Sequence, residues 1–465
     1  MDYNELISLT EAEFYNCDDF AKRTLSQQQI TVLYIINLCD KKYITESILA
    51  PLSINHNAAL NNANITGILA SLPLTECKTI DQIKEKLLSG NAIIIGGSKN
   101  NTYCYAADAK SEDGRSINEP ESEAVVRGPR QGFVENAMVN VTLLRKIIKS
   151  NKLKVINKTV GNKTTTDIKI VYYEGLTDNK VLEKLLNKIS EISIDSCVDS
   201  GDIEIKLQSS RFNLFSEFGN SEKPDKVASK ILGGRIAIIC DGSPVVLTVP
   251  YLFTEAMQSS EDYLKSIYYA SFIRILRFIC LIISMFLPAI YIAVHEFHKG
   301  ALPYSLYKIQ MQTRTDVPFD IFTEMLVVLL VFEIVREVGV RMPKAVGDAL
   351  SVVGGLILGD AAIKAGLASE TVIVIAALTG ICNFMNPTFM NANVLLRFVA
   401  LITAKILGFF GISIVIMLLL SILCKKESFG VSYMTPFAPT NKNILYDTVI
   451  MNPYICSSNS KKEYK

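Results

Sequence analysis

Apolar and polar positions along the chain follow two regimes. Up to about Ser266 the sequence is polar and of mixed charge, with no apolar run longer than a buried strand, whereas apolar residues dominate from Phe278 to Cys424. FICLIISMFLPAIYIAV (Phe278 to Val294) and ILGFFGISIVIMLLLSILC (Ile406 to Cys424) approach or reach the roughly 20 residues needed to cross about 30 Å of hydrocarbon. The runs within Ile321 to Val335, Val346 to Ile363 and Thr371 to Phe389 are shorter or interrupted, which predicts helices of a bundle rather than lone anchors. Lys265, Arg274 and Arg277 before the first span, and Lys425 and Lys426 after the last, place both flanks in the cytoplasm. That requires an even number of crossings; four or five candidates leave the parity open.

The polar half carries one pattern twice. ITVLYIINLCDKKYITESILAPL from Ile30 and IKIVYYEGLTDNKVLEKLLNKI from Ile168 each begin with a β-branched and aromatic run, pass a polar turn, and continue at helical spacing. Tyr34 and Tyr172, Leu38 and Leu176, Asp40 and Asp178, and Lys42 and Lys180 align without a gap. Asp40 is expected to cap the first helix, and Thr177 or Asp178 the second. Downstream, the stretches from Gly90 and Gly233 both read as a strand, a glycine-containing turn and a returning strand, with Gly96-Gly97 and Asp241-Gly242 as two-residue turns. The expected architecture is an α+β cytoplasmic part of two related α/β subdomains, followed by an all-α polytopic membrane domain. Its expected divisions are a tail at 1–17, subdomains at 18–150 and 151–265, a transmembrane domain at 266–425 and a cytoplasmic tail at 426–465.

Between the repeats, Arg127, Gly128, Pro129 and Arg130 form a loop that cannot be regular structure, followed by an amphipathic helix. The two arginines read either as an anion or partner site or as partners of Glu119, Glu121 and Glu123. The ten cysteines form no CxxC pair and only three histidines are present, which points to buried apolar cysteines in a reducing compartment and to no metal or cofactor. A formal net charge of +1 without a basic stripe argues against nucleic acid. MDYNELISLTEAEF lacks a secretory h-region. There is no GxxxxGK[ST], HExxH or GxSxG, so no enzyme is expected.

Charges inside the apolar half need a reason, because each costs roughly 2.5 to 3.5 kcal/mol at the centre of a membrane helix. Glu333, Arg336 and Glu337 share one helical face, which predicts an inward-facing charge network. On a helix from Pro343 to Ala365, Gly347, Ser351, Gly355 and Gly359 form a small-residue packing stripe. Val353, Leu356, Ile357, Asp360 and Lys364 fall on the opposite side, either lining a pore or, for Asp360 and Lys364, snorkelling at the boundary. Asn383, Asn386, Pro387, Asn391 and Asn393 mark either a broken helix or a turn between spans.

The chain resembles the GerA family of spore germination receptor A subunits. The resemblance rests on VRGPRQGF (Val126 to Phe133), GGRIAIICDGSPVVLTVP (Gly233 to Pro250), LPYSLYKIQMQTRTDVPF (Leu302 to Phe319), REVGVRMPKAVG (Arg336 to Gly347), VVGGLILGDAAIKAG (Val352 to Gly366) and SFGVSYMTPFAP (Ser428 to Pro439). It implies a multi-pass protein of the spore inner membrane, with its N-terminal part in the cytoplasm. It further implies a ring homo-oligomer, proposed as a pentamer, that acts as a nutrient-gated channel releasing monovalent cations, together with a transporter-like B subunit that binds germinant and a lipoprotein C subunit. Asp360, and the order Asn386-Pro387, depart from the pattern expected of that family. A secondary transporter and a non-conducting structural subunit are the competing readings; the former would call for inverted repeats in the membrane half.

Overall fold

A computed structural model describes residues 3–26, 29–54, 62–70, 72–98, 101–110, 123, 128–210, 213–314, 317–341, 359–440 and 448–450. Its first sheet is built from β1 (Phe20–Leu25), β2 (Ile30–Ile35), β3 (Leu74–Glu76), β4 (Asn91–Ser98) and β5 (Asn101–Asp108), in the order β1-β2-β4-β5-β3 with every pairing antiparallel. Every residue of β2 is buried, because it is covered on both faces. Ile30, Val32 and Tyr34 join Ile44, Ile48 and Leu52 of the following helical stretch. Leu33 and Ile35 join Leu6 and Ile7 of α1 (Tyr3–Glu13) and Ile83 and Leu87 of α2 (Ile80–Leu88). Asp40 caps the helical stretch, its Oδ1 accepting from the N–H groups of Lys42 and Tyr43 at 2.8 and 3.2 Å.

The second sheet repeats this order. β6 (Leu153–Val160), β7 (Thr166–Tyr173), β8 (Gly219–Ser221), β9 (Ile236–Cys240) and β10 (Val246–Val249) run β6-β7-β9-β10-β8, again antiparallel. One face packs on Val181, Leu185 and Ile189 of α4 (Asn179–Glu191) and on Ile203 of α5 (Ser200–Leu207). The other packs on Val141 and Leu144 of α3 (Ala137–Ile147) and Val227 and Ile231 of α6 (Pro224–Leu232). Asp178 caps α4, accepting from the Lys180 N–H at 2.9 Å.

Both glycine turns differ from expectation. Gly96 and Gly97 lie inside β4, paired with Tyr103 and Thr102, and a Cβ on Gly96 would sit 2.2 Å from the Tyr103 hydroxyl. The glycine is needed there so that a tyrosine can lie across the strand, not to reverse the chain. Asp241 and Gly242 begin a longer connection from Cys240 to Val246, in which Gly242 has φ +91°. Asp241 Oδ1 accepts from the Ala137 N–H at 2.9 Å and the Gly242 N–H donates to the Glu135 carbonyl at 2.8 Å. The pair therefore seats the start of α3.

A buried ion pair joins the two sheets. Arg145 of α3 donates through Nε and Nη2 to both oxygens of Asp19, at 2.5 and 2.7 Å, with the side chains 1% and 4% exposed. Beside it, the Asp18 N–H donates to the Val155 carbonyl at 3.0 Å and the Asn157 N–H to Asp18 Oδ2 at 2.7 Å.

The C-terminal half is helical: α7 (Ile267–Phe297), α8 (Tyr304–Gln312), α9 (Ile321–Arg341), α10 (Glu370–Phe384), α11 (Met390–Leu407) and α12 (Phe409–Lys425). Among the described residues, two helical segments are long and apolar enough to cross a membrane, Ile267–Phe297 and Pro387–Leu407. The second differs from the expected Ile406 to Cys424 span because Gly408, at φ +60° and ψ −138°, ends α11 and starts α12. Phe297 packs 3.0 Å from where a Cβ on Gly408 would be.

Replacing Arg145 with Ala strands a buried carboxylate. Chemical unfolding of the full chain in detergent, followed by circular dichroism, is expected to show a loss of about 3 to 5 kcal/mol, with Asp19→Asn giving a similar loss.

Candidate functional site

α7 presents Arg277, Ser284, Pro288, Tyr291 and His295 at helical spacing along one side. Pro288 has no N–H, so the Ser284 carbonyl one turn earlier has no helical donor. Arg397 of α11 supplies one, its Nε donating at 2.9 Å. Arg397 is fully buried and donates through Nη1 to Glu333 Oε1 of α9 at 3.1 Å, while Arg336 Nη2 meets Glu333 Oε2 at 2.9 Å. Glu333 and Arg336 are thus together, partly buried beside the fully buried Arg397. Glu337 is not with them: it turns outward to Arg341 at 2.8 Å, four residues on, with both side chains exposed. Sequence reasoning missed Arg397, although one guanidinium in the apolar run MNANVLLRFVALITAKIL was a signal of the same kind as Glu333.

Amides extend this seam. Asn393 Nδ2 donates to Ser284 Oγ at 3.2 Å and to Asn383 Oδ1 at 3.0 Å, and Asn386 Nδ2 donates to the Arg277 carbonyl at 3.0 Å. With the short 3-10 turn Pro387–Phe389, these asparagines close a turn between α10 and α11. At the opposite end, Ser369, just before α10, donates to Glu324 of α9 through its N–H and Oγ at 2.6 and 2.5 Å.

Where α7 meets the sheets, Arg277 donates to both oxygens of Asp262 at 2.6 and 2.9 Å, and Arg274 stands 3.4 Å away. Burial alone would raise the Asp262 carboxyl; the Arg277 bonds outweigh it and hold it below its ordinary value of 3.8. The chain leaving α12 returns to the same junction as a hairpin of β11 (Glu427–Ser428) and β12 (Val431–Ser432). Ser428 Oγ accepts from the Tyr251 N–H at 3.0 Å and donates to the Glu217 carbonyl at 2.8 Å, and the Tyr433 carbonyl accepts from the Phe253 N–H at 3.0 Å. Phe429 enters the core of the second sheet, edge-on to Phe218 at 5.5 Å, with the Lys188 ammonium 4.8 Å above its ring. Tyr433 enters a different core, shared by Tyr251, Phe253, Phe389 and Met285. Burial lowers the Lys426 ammonium pKa, opposed by Glu217 3.5 Å away. SFGVSYMTPFAP is thus a strap between the sheet and the helices.

The remaining expected residues are dispersed. Gly128, Pro129 and Arg130 are exposed, with Gly128 at φ +138°, and Arg127 lies outside the described residues. Glu123 holds Lys226 at 2.5 Å and the Ser221 hydroxyl at 2.6 Å. Gly347, Ser351, Val353, Gly355, Leu356 and Ile357 lie outside the described residues. Gly359 is half-buried, with Ile373 Cγ2 at 3.8 Å from where a Cβ would stand, and Asp360 pairs with Lys364 at 2.6 Å on an exposed surface. Among the described residues, no group of His, Cys, Asp and Glu is placed to hold a metal, and nine cysteines are free thiols, eight of them buried.

Asp262→Asn leaves two guanidinium groups at the junction without their carboxylate, an expected loss of about 3 to 5 kcal/mol in unfolding experiments on the full chain. Because the folded carboxyl has the lower pKa, its stabilisation is complete above 3.8 and disappears as pH falls through the folded value; an acid titration of the thermal midpoint should show this in the parent and not in the variant. Phe429→Ala should cost about 3 to 5 kcal/mol and expose the strap to limited proteolysis.

Comparison with known proteins agrees along nearly the whole chain. The family model described as "Bacillus/Clostridium GerA spore germination protein" matches residues 8–463. Spore germination protein KA of Bacillus subtilis (strain 168) is 38% identical over 431 residues, covering 91% of this chain and 79% of that protein. Spore germination protein A1 of the same organism is 31% identical over 406 residues, covering 87% and 83%. The crystal structure of the N-terminal domain of the A subunit of the Bacillus megaterium spore germinant receptor GerK3 aligns with a TM-score of 0.40 at 23% identity, over 53% of this chain and 94% of that one. By the extent of these matches, the chain belongs to the GerA family of spore germination proteins, the germinant-receptor A subunits.

Proposed function

We propose that this chain assembles as a ring in the spore inner membrane and forms a nutrient-gated channel for monovalent cations, with its two sheets in the cytoplasm. A transporter-like B subunit binds the germinant and a lipoprotein C subunit completes the receptor. The observation that carries this reading is the direction of two helices. Glu324 of α9 bonds to Ser369 at the start of α10, and Phe332 lies against Gly380 further along both, so α9 and α10 run parallel. Consecutive parallel helices require a connection that returns along the bundle. The connecting residues carry the small-residue stripe Gly347, Ser351, Gly355 and Gly359, and as a helix Pro343 to Ala365 would be about 34 Å long, enough to span hydrocarbon.

On this reading the crossings are α7, α9, the connecting helix, α10, α11 and α12. Six is even, in keeping with a strap after α12 that meets the same sheet from which α7 departs. The stripe packs neighbouring subunits together, Val353, Leu356 and Ile357 form the constriction, and Asp360 with Lys364 marks one mouth. The Glu333–Arg336–Arg397 network braces the helix that precedes the pore helix. A secondary transporter would instead be built on an inverted repeat in the helical half, whereas the repetition in this chain is one of strand order in its sheets.

Single cysteines test the assignment. At Val353, Ile357 and Asp360 they should react with a water-soluble thiol reagent when germinant opens the receptor, and at Ser351 and Gly355 they should be protected. Ile357→Ala, assembled with the partner subunits, should raise basal cation flux in liposomes. Protection of the first set in every state, or flux that saturates as a carrier's does, would sink the channel reading.

A further inference from the structure

Among the described residues, the seam between α7, α9 and α11 holds one more positive charge than negative. Arg397 and Arg336 share one carboxylate, Glu333: Oε1 accepts from Arg397, while Oε2 stands 2.9 Å from Arg336 Nη2 as an ion pair without a hydrogen bond. Among the described residues no other acid reaches either arginine; Glu337 is occupied by Arg341 at the surface. Two donors are left over, Arg397 Nη2 and Arg336 Nη1, both sealed from solvent and without a hydrogen-bond partner. Arg397 itself is 0% exposed, so it cannot reach bulk water by rotating outward. Ordered water would satisfy the two N–H groups but not the extra unit of positive charge, and an uncompensated buried charge is the costly case. Both features call for one kind of ligand at the carboxylate the two arginines share: small, a hydrogen-bond acceptor only, and singly negative.

We propose that the Arg397–Glu333–Arg336 seam binds one monovalent inorganic anion of the chloride class, which ties α9 to α11. The inference is independent of the channel reading, since it concerns the interior of a single subunit and leaves the pore residues untouched. A divalent anion would invert the imbalance instead of cancelling it. A carboxylate offers the right charge but brings a carbon skeleton with it, and the gluconate arm of the test below is the control for it. The anion would act as a structural counter-charge, and bulky anions that cannot enter would leave the bundle less stable at the same ionic strength.

The test uses the purified full chain in detergent with chloride alone as the probe. Chloride NMR line width and the thermal midpoint are measured as sodium gluconate is exchanged for sodium chloride at constant ionic strength. Excess broadening that bromide competes away, together with a higher midpoint in chloride, is expected. Arg336→Met removes the surplus charge from the rim of the seam and should weaken apparent chloride affinity by about tenfold or more, the scale of one charge-assisted hydrogen bond. Glu333→Gln adds a further unit of surplus and should tighten it by a similar factor; should that variant fail to fold, the parent and Arg336→Met still decide the matter. No broadening in the parent, or broadening that Arg336→Met leaves unchanged, overturns the proposal.

Discussion

A guanidinium held inside an apolar bundle has to be given oxygen atoms, and the helical half is arranged to give them to Arg397. Its Nε takes the Ser284 carbonyl that Pro288 sets free, and its Nη1 takes a carboxylate of α9. Three helices distant in sequence are fixed by one side chain, with a tolerance of a few tenths of an ångström that dispersion contacts between Leu and Val do not impose. The helix proline and the buried cation are therefore one device. Either alone would be a defect, a missing bond or an unmet charge; together each supplies what the other lacks.

The same logic recurs at the junction with the sheets. Asp262 gathers Arg277 and Arg274 at the start of α7, and the strap after α12 adds backbone hydrogen bonds to Tyr251, Phe253 and Glu217. First and last helices thus leave from, and arrive at, a single polar base. A tilt of either helix would have to be transmitted to the second sheet, because Phe429 is embedded in that sheet's core while Tyr433 is embedded among the helices. Sheet and bundle share side chains instead of merely touching.

Much of this was legible in the order of residues. The repeated strand–turn–helix pattern at Ile30 and Ile168 anticipates two sheets of the same strand order, and Asp40 and Asp178 cap as their position implied. Local patterns speak reliably about local structure, since a cap or a period-two strand is decided within a few residues. Gly96 and Asp241 were misread because their roles are set by partners far along the chain, the Tyr103 ring and the first turn of α3. Arg397 was overlooked for the same reason: its acceptors are 64 and 113 residues away. Gly408 hid the end of α11 inside Ile406 to Cys424, a run without a charged residue.

The strap has a consequence for how the molecule is made. The second sheet is complete as a set of strands once Val249 has left the ribosome, yet the slot between Phe218 and Lys188 stays open until Phe429 arrives, 180 residues later. All of the helices have to be synthesised first. Domains commonly finish folding in the order in which they emerge; here the last-made segment completes the earlier one, so a stop codon shortly before Phe429 would spoil a core whose own sequence is intact.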